Sequence, residues 1–366
     1  VADAVIDIQG FEVIPDAALS GSVDCLSCTK INTNTYEFEV YFKGLRGVID
    51  VAASATVNFL KVSGADVCVV NGADLTINAN DSATSVEAIA IFGQSTARAE
   101  KPEVQNCKIN FYSPVGTGIR IGRSGSNSYV DDYLVAGNHV VGKYYALATP
   151  HAYILSDQVT QGECKGNIAQ DIFVGYLISE TTDSTIQGNV AFDCYGPSYY
   201  VKGATDCTIR DNIAVCTGKF TQRTNGILSV GPQGATNTSA ATIQENLVIV
   251  QDMSKVHALA DIVDSSQTCS YIRNTYIVPD TVNVASDQLF NFQNGLGGAA
   301  NYTLAQWNAE TSYVTDDVVI TLPESEISAL ISTLRPSVKN ELFIDGLLLG
   351  PGKVNAIVDG NTIINI

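Results

Sequence analysis

Short apolar runs separated by turn residues fill most of the chain, and a 3.6-residue helical period is absent from most of it. Thr185-Ile186-Gln187, Asn189-Val190-Ala191-Phe192 and Leu247-Val248-Ile249-Val250 are short and rich in β-branched residues, so they predict strands. Tyr36-Glu37-Phe38-Glu39-Val40-Tyr41-Phe42 alternates apolar and polar positions, as a half-buried strand does. Ala4-Val5-Ile6-Asp7-Ile8 and Phe11-Glu12-Val13-Ile14 open the chain in the same manner, and Asn355 to Ile366 closes it so. One helix is predicted near the far end: Ser325 caps it, Ile327, Leu330, Ile331 and Leu334 share a face, and Pro336 stops it. It reads either as cover for part of a sheet or as a plain surface helix.

A five-residue unit recurs through the middle: β-branched, any, Gly or polar, Asn, apolar. It runs Val135-Ala136-Gly137-Asn138-His139, Cys164-Lys165-Gly166-Asn167-Ile168, Ile186-Gln187-Gly188-Asn189-Val190, Ile209-Arg210-Asp211-Asn212-Ile213 and Ile243-Gln244-Glu245-Asn246-Leu247. Ile272-Arg273-Asn274-Thr275-Tyr276 follows with Thr in the Asn place, and Val358-Asp359-Gly360-Asn361-Thr362 repeats the unit at the end. Spacings from Asn138 to Thr275 are 29, 22, 23, 34 and 29 residues. A fixed local pattern at variable spacing is what stacked coils produce, with loops of any length between the strands. Asn suits a tight corner because it tolerates left-handed backbone angles. Its amide both donates and accepts, so Asn138, Asn167, Asn189, Asn212, Asn246 and Thr275 are expected to form a hydrogen-bonded ladder along the axis.

These units resemble the right-handed parallel β-helix proteins of the pectate-lyase-like superfamily. The likeness covers about residues 60–280 and extends to Tyr302-Thr303-Leu304-Ala305-Gln306-Trp307-Asn308-Ala309, Leu334-Arg335-Pro336-Ser337 and Asp359-Gly360-Asn361. The fold expected is all-β, a right-handed parallel β-helix or β-solenoid with one short helix near the C-terminus. Residues 1–60 are expected to be strands leading into it, 61–300 the parallel β-helix core, and 301–366 a C-terminal region with the helix and final strands. The fold alone fixes no activity, since it hosts lyases, hydrolases, tailspikes and scaffolds.

Charge narrows the partners. With 38 acidic and 20 basic residues the net charge is −18, and no Lys/Arg cluster exists for phosphate, which argues against nucleic acid. No apolar run reaches the roughly 18 residues of a membrane span. Charged residues make up only 16%, so hydroxyls and amides must cover the surface. The chain opens at Val1 and holds one Met, Met253, which reads as a processed product or a trimmed one. Nine cysteines leave at least one thiol unpaired. They fit a secreted chain with one or two disulfides or a reduced chain in an anaerobic setting, and lone Cys25-x-x-Cys28 lacks the partners of a zinc site.

Chemistry is sparse. Asp131-Asp132 is the adjacent acidic pair within the clear repeats; Asp316-Asp317 falls outside them. Asp193, Asp206 and Asp211 lie on or near neighbouring coils, with Lys202 and Arg210 close in sequence. Such oxygen ligands would suit Ca²⁺, and otherwise no cofactor is expected. In the superfamily's polygalacturonases, Asp-Asp goes with Gly-His-Gly and Arg-Ile-Lys; here His139 stands in Asn138-His139-Val140 and Arg-Ile-Lys is missing, which departs from hydrolase chemistry. His151 is a candidate general base without an acidic neighbour in sequence. Gly116-Thr117-Gly118-Ile119-Arg120-Ile121-Gly122 reads as turns and bulges rather than a phosphate loop. Tyr144, Tyr145, Tyr195, Tyr199 and Tyr200 are expected in loops, contacting sugar or another subunit. Asn80, Asn237 and Asn301 head glycosylation sequons, which expects them on the surface.

Two functions are therefore expected. One is an extracellular structural protein whose uncapped end coils and sides polymerise into a surface sheath, filament or layer, with itself as partner. In overall character it resembles the amyloid-like sheath proteins of methanogenic archaea. The other is a carbohydrate-active β-helix, a polysaccharide lyase or a tailspike that binds or cuts glycans.

Overall fold

The computed structural model describes residues 4–15, 17–30, 37–94, 98–122, 129–145, 148–156, 158–234, 236–264, 266–293, 299–310, 312–334, 355–358 and 362–365. Within them the chain winds as a parallel β-helix. Each coil lays one strand on each of three sheets. The second coil runs Phe38–Lys43 on the first sheet, Arg46–Val51 on the second and Thr56–Ser63 on the third. The sheets hold 12, 11 and 11 strands, and successive coils pair in parallel throughout the stack. Ala299–Tyr302 alone joins a main sheet antiparallel, beside Phe290–Gln293. The strands described between residues 4 and 63 already form the first two coils of the stack.

Alternation decides what faces inward. Down the first sheet the register stacks Phe42, Val70, Val104, Val135, Cys164, Ile186, Ile209, Ile243, Tyr271 and Val314, and all are buried. Each of these is stacked on its like in the next coil, which keeps the lumen dry and close-packed. The nine cysteines are all unpaired, and Cys68, Cys107, Cys164, Cys194, Cys207 and Cys269 are buried as small apolar side chains.

The corner from first to second sheet departs from expectation. The left-handed residue is the one before each Asn: Gly137 (φ 65°), Gly166 (62°), Gly188 (61°), Asp211 (55°), Glu245 (55°) and Arg273 (51°). Glycine adopts this angle freely; at Asp211, Glu245 and Arg273 it costs on the order of 1 kcal/mol each. The Asn itself turns inward.

Among the described residues there are two α-helices rather than one. α1, Leu304–Ala309, begins with a capping box in which Thr303 and Gln306 satisfy each other's backbone amides. α2, Glu324–Leu334, matches the expected helix, although it starts one residue before Ser325; Pro336 lies outside the described residues. α2 covers the outer face of the second sheet. That face is polar early in the stack, with Thr76, Asn78 and Asn110 pointing out, and turns apolar at Ile168, Val190, Phe192, Ile213, Val215, Leu247, Ile249 and Ile277. Ile327, Leu330 and Ile331 close over that apolar stretch, and Gln251 Nε2 donates to Ser328 Oγ at 2.9 Å. Asn355–Val358 and Thr362–Asn365 form a separate antiparallel hairpin, and residues 335–337 and 359–361 lie outside the described residues.

Candidate functional site

The corner ladder is the most ordered polar feature. Asn138, Asn167, Asn189, Asn212 and Asn246 each donate from Nδ2 to the Oδ1 of the next coil's residue, at 2.9, 2.9, 3.0, 2.9 and 2.9 Å. Each Nδ2 also donates to a carbonyl of the coil before, and each Oδ1 also accepts a backbone N–H. From Asn167 to Asn246 both hydrogens and both lone pairs of the amide are therefore used, and Asn138 lacks only the second acceptance, which removes the penalty of burying them. The sixth place, assigned by sequence to Thr275, is filled by Asn274; Thr275 is the following strand residue. The ladder opens at the backbone amide of Cys107, which donates to Asn138 Oδ1 at 2.9 Å.

It ends at Asp317. Oδ1 accepts from the backbone amide and Nδ2 of Asn274, at 2.8 and 3.1 Å. Oδ2 accepts from Tyr276 Oη at 3.1 Å and Trp307 Nε1 at 3.0 Å. A carboxylate accepts and needs no acceptor beyond it, so it suits the last rung better than another amide. Burial nonetheless pushes this carboxyl up to about 6, against the lowering effect of its four donors. Trp307 on α1 is wholly buried, stacks on Phe290 at 5.0 Å and meets Tyr271 edge-on at 5.2 Å. The lumen is thus plugged at the C-terminal end of the stack.

At the other end, no described strand pairs with the outer edges of the first coil. Ala4–Gln9, Glu12–Val13 and Ser22–Thr29 are the outermost strands of their sheets. Ile6, Ile8, Val23, Leu26 and Cys28 point into the lumen yet are only half-buried, whereas their partners one coil in, Val40, Phe42, Val57, Leu60 and Val62, are fully buried. Val5, Phe11 and Ile14 are exposed at 60%, 45% and 64%.

The candidate catalytic residues do not converge. Asp131 holds Arg98 Nη1 at 2.8 Å and accepts from the Thr160 hydroxyl; with Asp132, Gln161, Asp183, Glu100 and Lys101 it lines an open polar depression at the corner between the third and first sheets. Asp132 and Asp206 share a left-handed angle of φ 52°, which marks them as turn residues; Asp183, with the same angle, lies within the strand Thr182–Gln187. Asp193 lies at another corner, accepting from the amide and hydroxyl of Thr217 at 2.7 and 2.9 Å, and burial raises its pKa. Asp211 and Arg210 sit at the ladder corner as a 3.5 Å ion pair. His151 and Lys202 lie on the third sheet. Burial, then the charges of Arg120 and Lys202, lower His151 to about 4, so it is neutral at physiological pH. Among the described residues no three His, Cys, Asp or Glu side chains are grouped to share a metal ion. No helix among them is long and apolar enough to cross a membrane.

The five tyrosines separate. Tyr199 is a lumen residue, stacked with Tyr176 at 4.9 Å, which stacks on Tyr153 at 4.8 Å. The Tyr199 hydroxyl lies 2.8 Å from the Asn189 carbonyl, so it braces the ladder instead of meeting a ligand. Tyr195 is buried, its hydroxyl donating to the Lys143 carbonyl at 3.2 Å. Tyr144 stands 40% exposed, stacked on Phe220 at 4.9 Å, with Tyr145 beside Lys143 at 5.7 Å. Tyr200 is half-buried on the outer face of the third sheet, under Lys202 Nζ. Farther along that face, Ser229, Asp261 and Asn291 form a buried polar row that sequence reasoning missed. The only signal was a lone Asp inside the apolar run Leu259-Ala260-Asp261-Ile262. The sequon residues Asn80, Asn237 and Asn301 are exposed.

Fold and geometry together define a three-sheet parallel β-solenoid with an amide ladder and a plugged last coil. Comparison with protein-family models, with curated proteins and with solved structures finds no match.

Proposed function

We propose that this is an extracellular structural protein, a β-solenoid that self-assembles at the cell surface into a sheath, filament or layer, using its first coil as the main contact. One observation carries the reading: among the described residues the three strands of the first coil have no outer partner and their lumen side chains are half-buried, where the next coil buries the same positions completely. Unpaired edges and apolar surface together favour association. The plugged last coil favours joining through first coils and sides over head-to-tail repetition. The fully bonded ladder suits a long-lived scaffold, and the likeness to archaeal sheath proteins rests on this character. Exposed sequons suit a secreted chain. Sedimentation velocity and electron microscopy test the reading: the wild type should form concentration-dependent assemblies, and Phe11→Asp with Ile14→Lys should yield monomers. A wild-type chain that stays monomeric over the whole micromolar range would overturn it.

A second reading, a carbohydrate-active β-helix of the pectate-lyase-like kind, is favoured by the polar depression around Asp131, with carboxylates and cations within one recess. Glycan cleavage that survives both Asp131→Asn and Asp132→Asn would remove that site from consideration.

A further inference from the structure

Ser229, Asp261 and Asn291 are register partners on three successive strands of the third sheet, all facing outward and all buried. Ser229 and Gly226 lie beside the Asp261 carboxyl, and Asn225 Nδ2 donates to Ser229 Oγ at 3.3 Å. Toward Asn291 the row is incomplete. Asp261 Oδ1 and Asn291 Oδ1 are both buried, and neither has a donor. Two acceptor oxygens on adjacent strands, both stripped of water, are a costly arrangement for a carboxylate beside an amide.

We propose that Asp261 is held as the neutral acid and donates its proton to Asn291 Oδ1, so that this joint between coils is a proton-operated latch. A single proton repairs both defects, because it turns one acceptor into a donor and supplies the other with its partner. Among the described residues no Lys, Arg or His forms an ion pair with Asp261 that would hold it ionised. The loop packed on it contributes Asn225 and Gly226, neither charged. The titratable groups that feel it are Tyr200, two strands earlier in the row, and Tyr271, whose hydroxyl donates to the Asp261 backbone carbonyl at 3.0 Å. Burial raises both phenols, so neither is ionised near neutrality. The same cause pushes the Asp261 carboxyl up to about 7. Above that pH the proton passes to water and leaves a carboxylate against the Asn291 oxygen, and the joint loosens.

Infrared difference spectroscopy on the full chain tests this, with the aspartates labelled in the carboxyl carbon. A protonated-carboxyl stretch should persist in the folded wild type at about pH 6, fade through about pH 7, and be missing from Asp261→Asn. Amide exchange of Ala260–Ile262 and Phe290–Asn291, corrected for intrinsic rates, should show opening that grows up to about tenfold per pH unit from the ordinary carboxylate range, about pH 4, up to the latch pKa, and levels off above it. Asp261→Asn, whose Nδ2 donates at every pH, should abolish that growth. A wild type with no such stretch at about pH 6 would mean that the Asn291 amide is turned over and donates to a charged carboxylate, which overturns the proposal. So would a pH dependence of opening that is identical in the variant. The wild-type spectrum decides the matter even where the variant folds poorly.

Discussion

Asn189→Ala measures what the ladder contributes. Ala is already accommodated at this corner, because Ala73 occupies the equivalent place earlier in the stack and is buried. Backbone strain therefore drops out of the comparison, and the hydrogen bonds remain. Removing the amide orphans the Asn167 backbone N–H, bonded at 3.0 Å, one hydrogen of Asn167 Nδ2, bonded at 2.9 Å, and the Cys164 carbonyl, bonded at 2.8 Å. Asn212 Oδ1 keeps a bond from the Asn189 backbone amide. Three buried groups at about 1–2 kcal/mol each give a loss of roughly 3–6 kcal/mol. Asn138→Ala, at the start of the ladder, orphans only the Cys107 amide and the Val104 carbonyl, so its loss should be about two-thirds as large. Urea unfolding followed by far-UV circular dichroism compares the two, with Trp307 fluorescence reporting the last coil separately. A loss below about 1 kcal/mol for Asn189→Ala, or a larger one for Asn138→Ala, would refute the reasoning.

Trp307→Ala should cost about 3–5 kcal/mol through the lost stack on Phe290 and the lost bond to Asp317, and amide exchange should speed up first in Tyr271 and in Val314–Thr315. Asp317 gives a pH dependence whose sign follows from its raised pKa. The folded chain holds a proton that the unfolded chain has shed, so stability is greatest below the ordinary carboxylate value and declines as pH rises from about 4 to about 6. Melting curves across that range should show the decline in the wild type and a smaller one in Asp317→Asn. At neutral pH the same variant should lose about 1–3 kcal/mol, because its amide would face Trp307 Nε1, which can only donate.

The repeat was legible because its chemistry is local. Gly-Asn or Asp-Asn after an inward β-branched residue names the corner directly. The displacement to Thr275 has a simple cause. The inward residue of that unit is Tyr271, not a β-branched one, so aligning on Ile272 moved the frame by one. Asp317 was hidden in the same manner: Val314-Thr315-Asp316-Asp317-Val318 is the unit with Asp in the Asn place. The cover over the second sheet was partly legible too, since Leu247-Val248-Ile249-Val250 is apolar on both faces and needs burial on both. Sequence could not tell Tyr199 from Tyr200, because a run of two tyrosines does not say which one points inward. Nor could it place Asp131, Asp193 and Asp211 at three different corners, because loop lengths between strands vary and only the register fixes the azimuth.

The rungs from Asn167 to Asn246 each use all four bonds of the amide, with an Asn rung above and below. Any one of those turns of chain could be removed, or copied, and the two cut surfaces would still match. A lineage carrying this protein could therefore lengthen or shorten it in whole units from the middle. The last turn has no such freedom, since Asp317 and Trp307 close it.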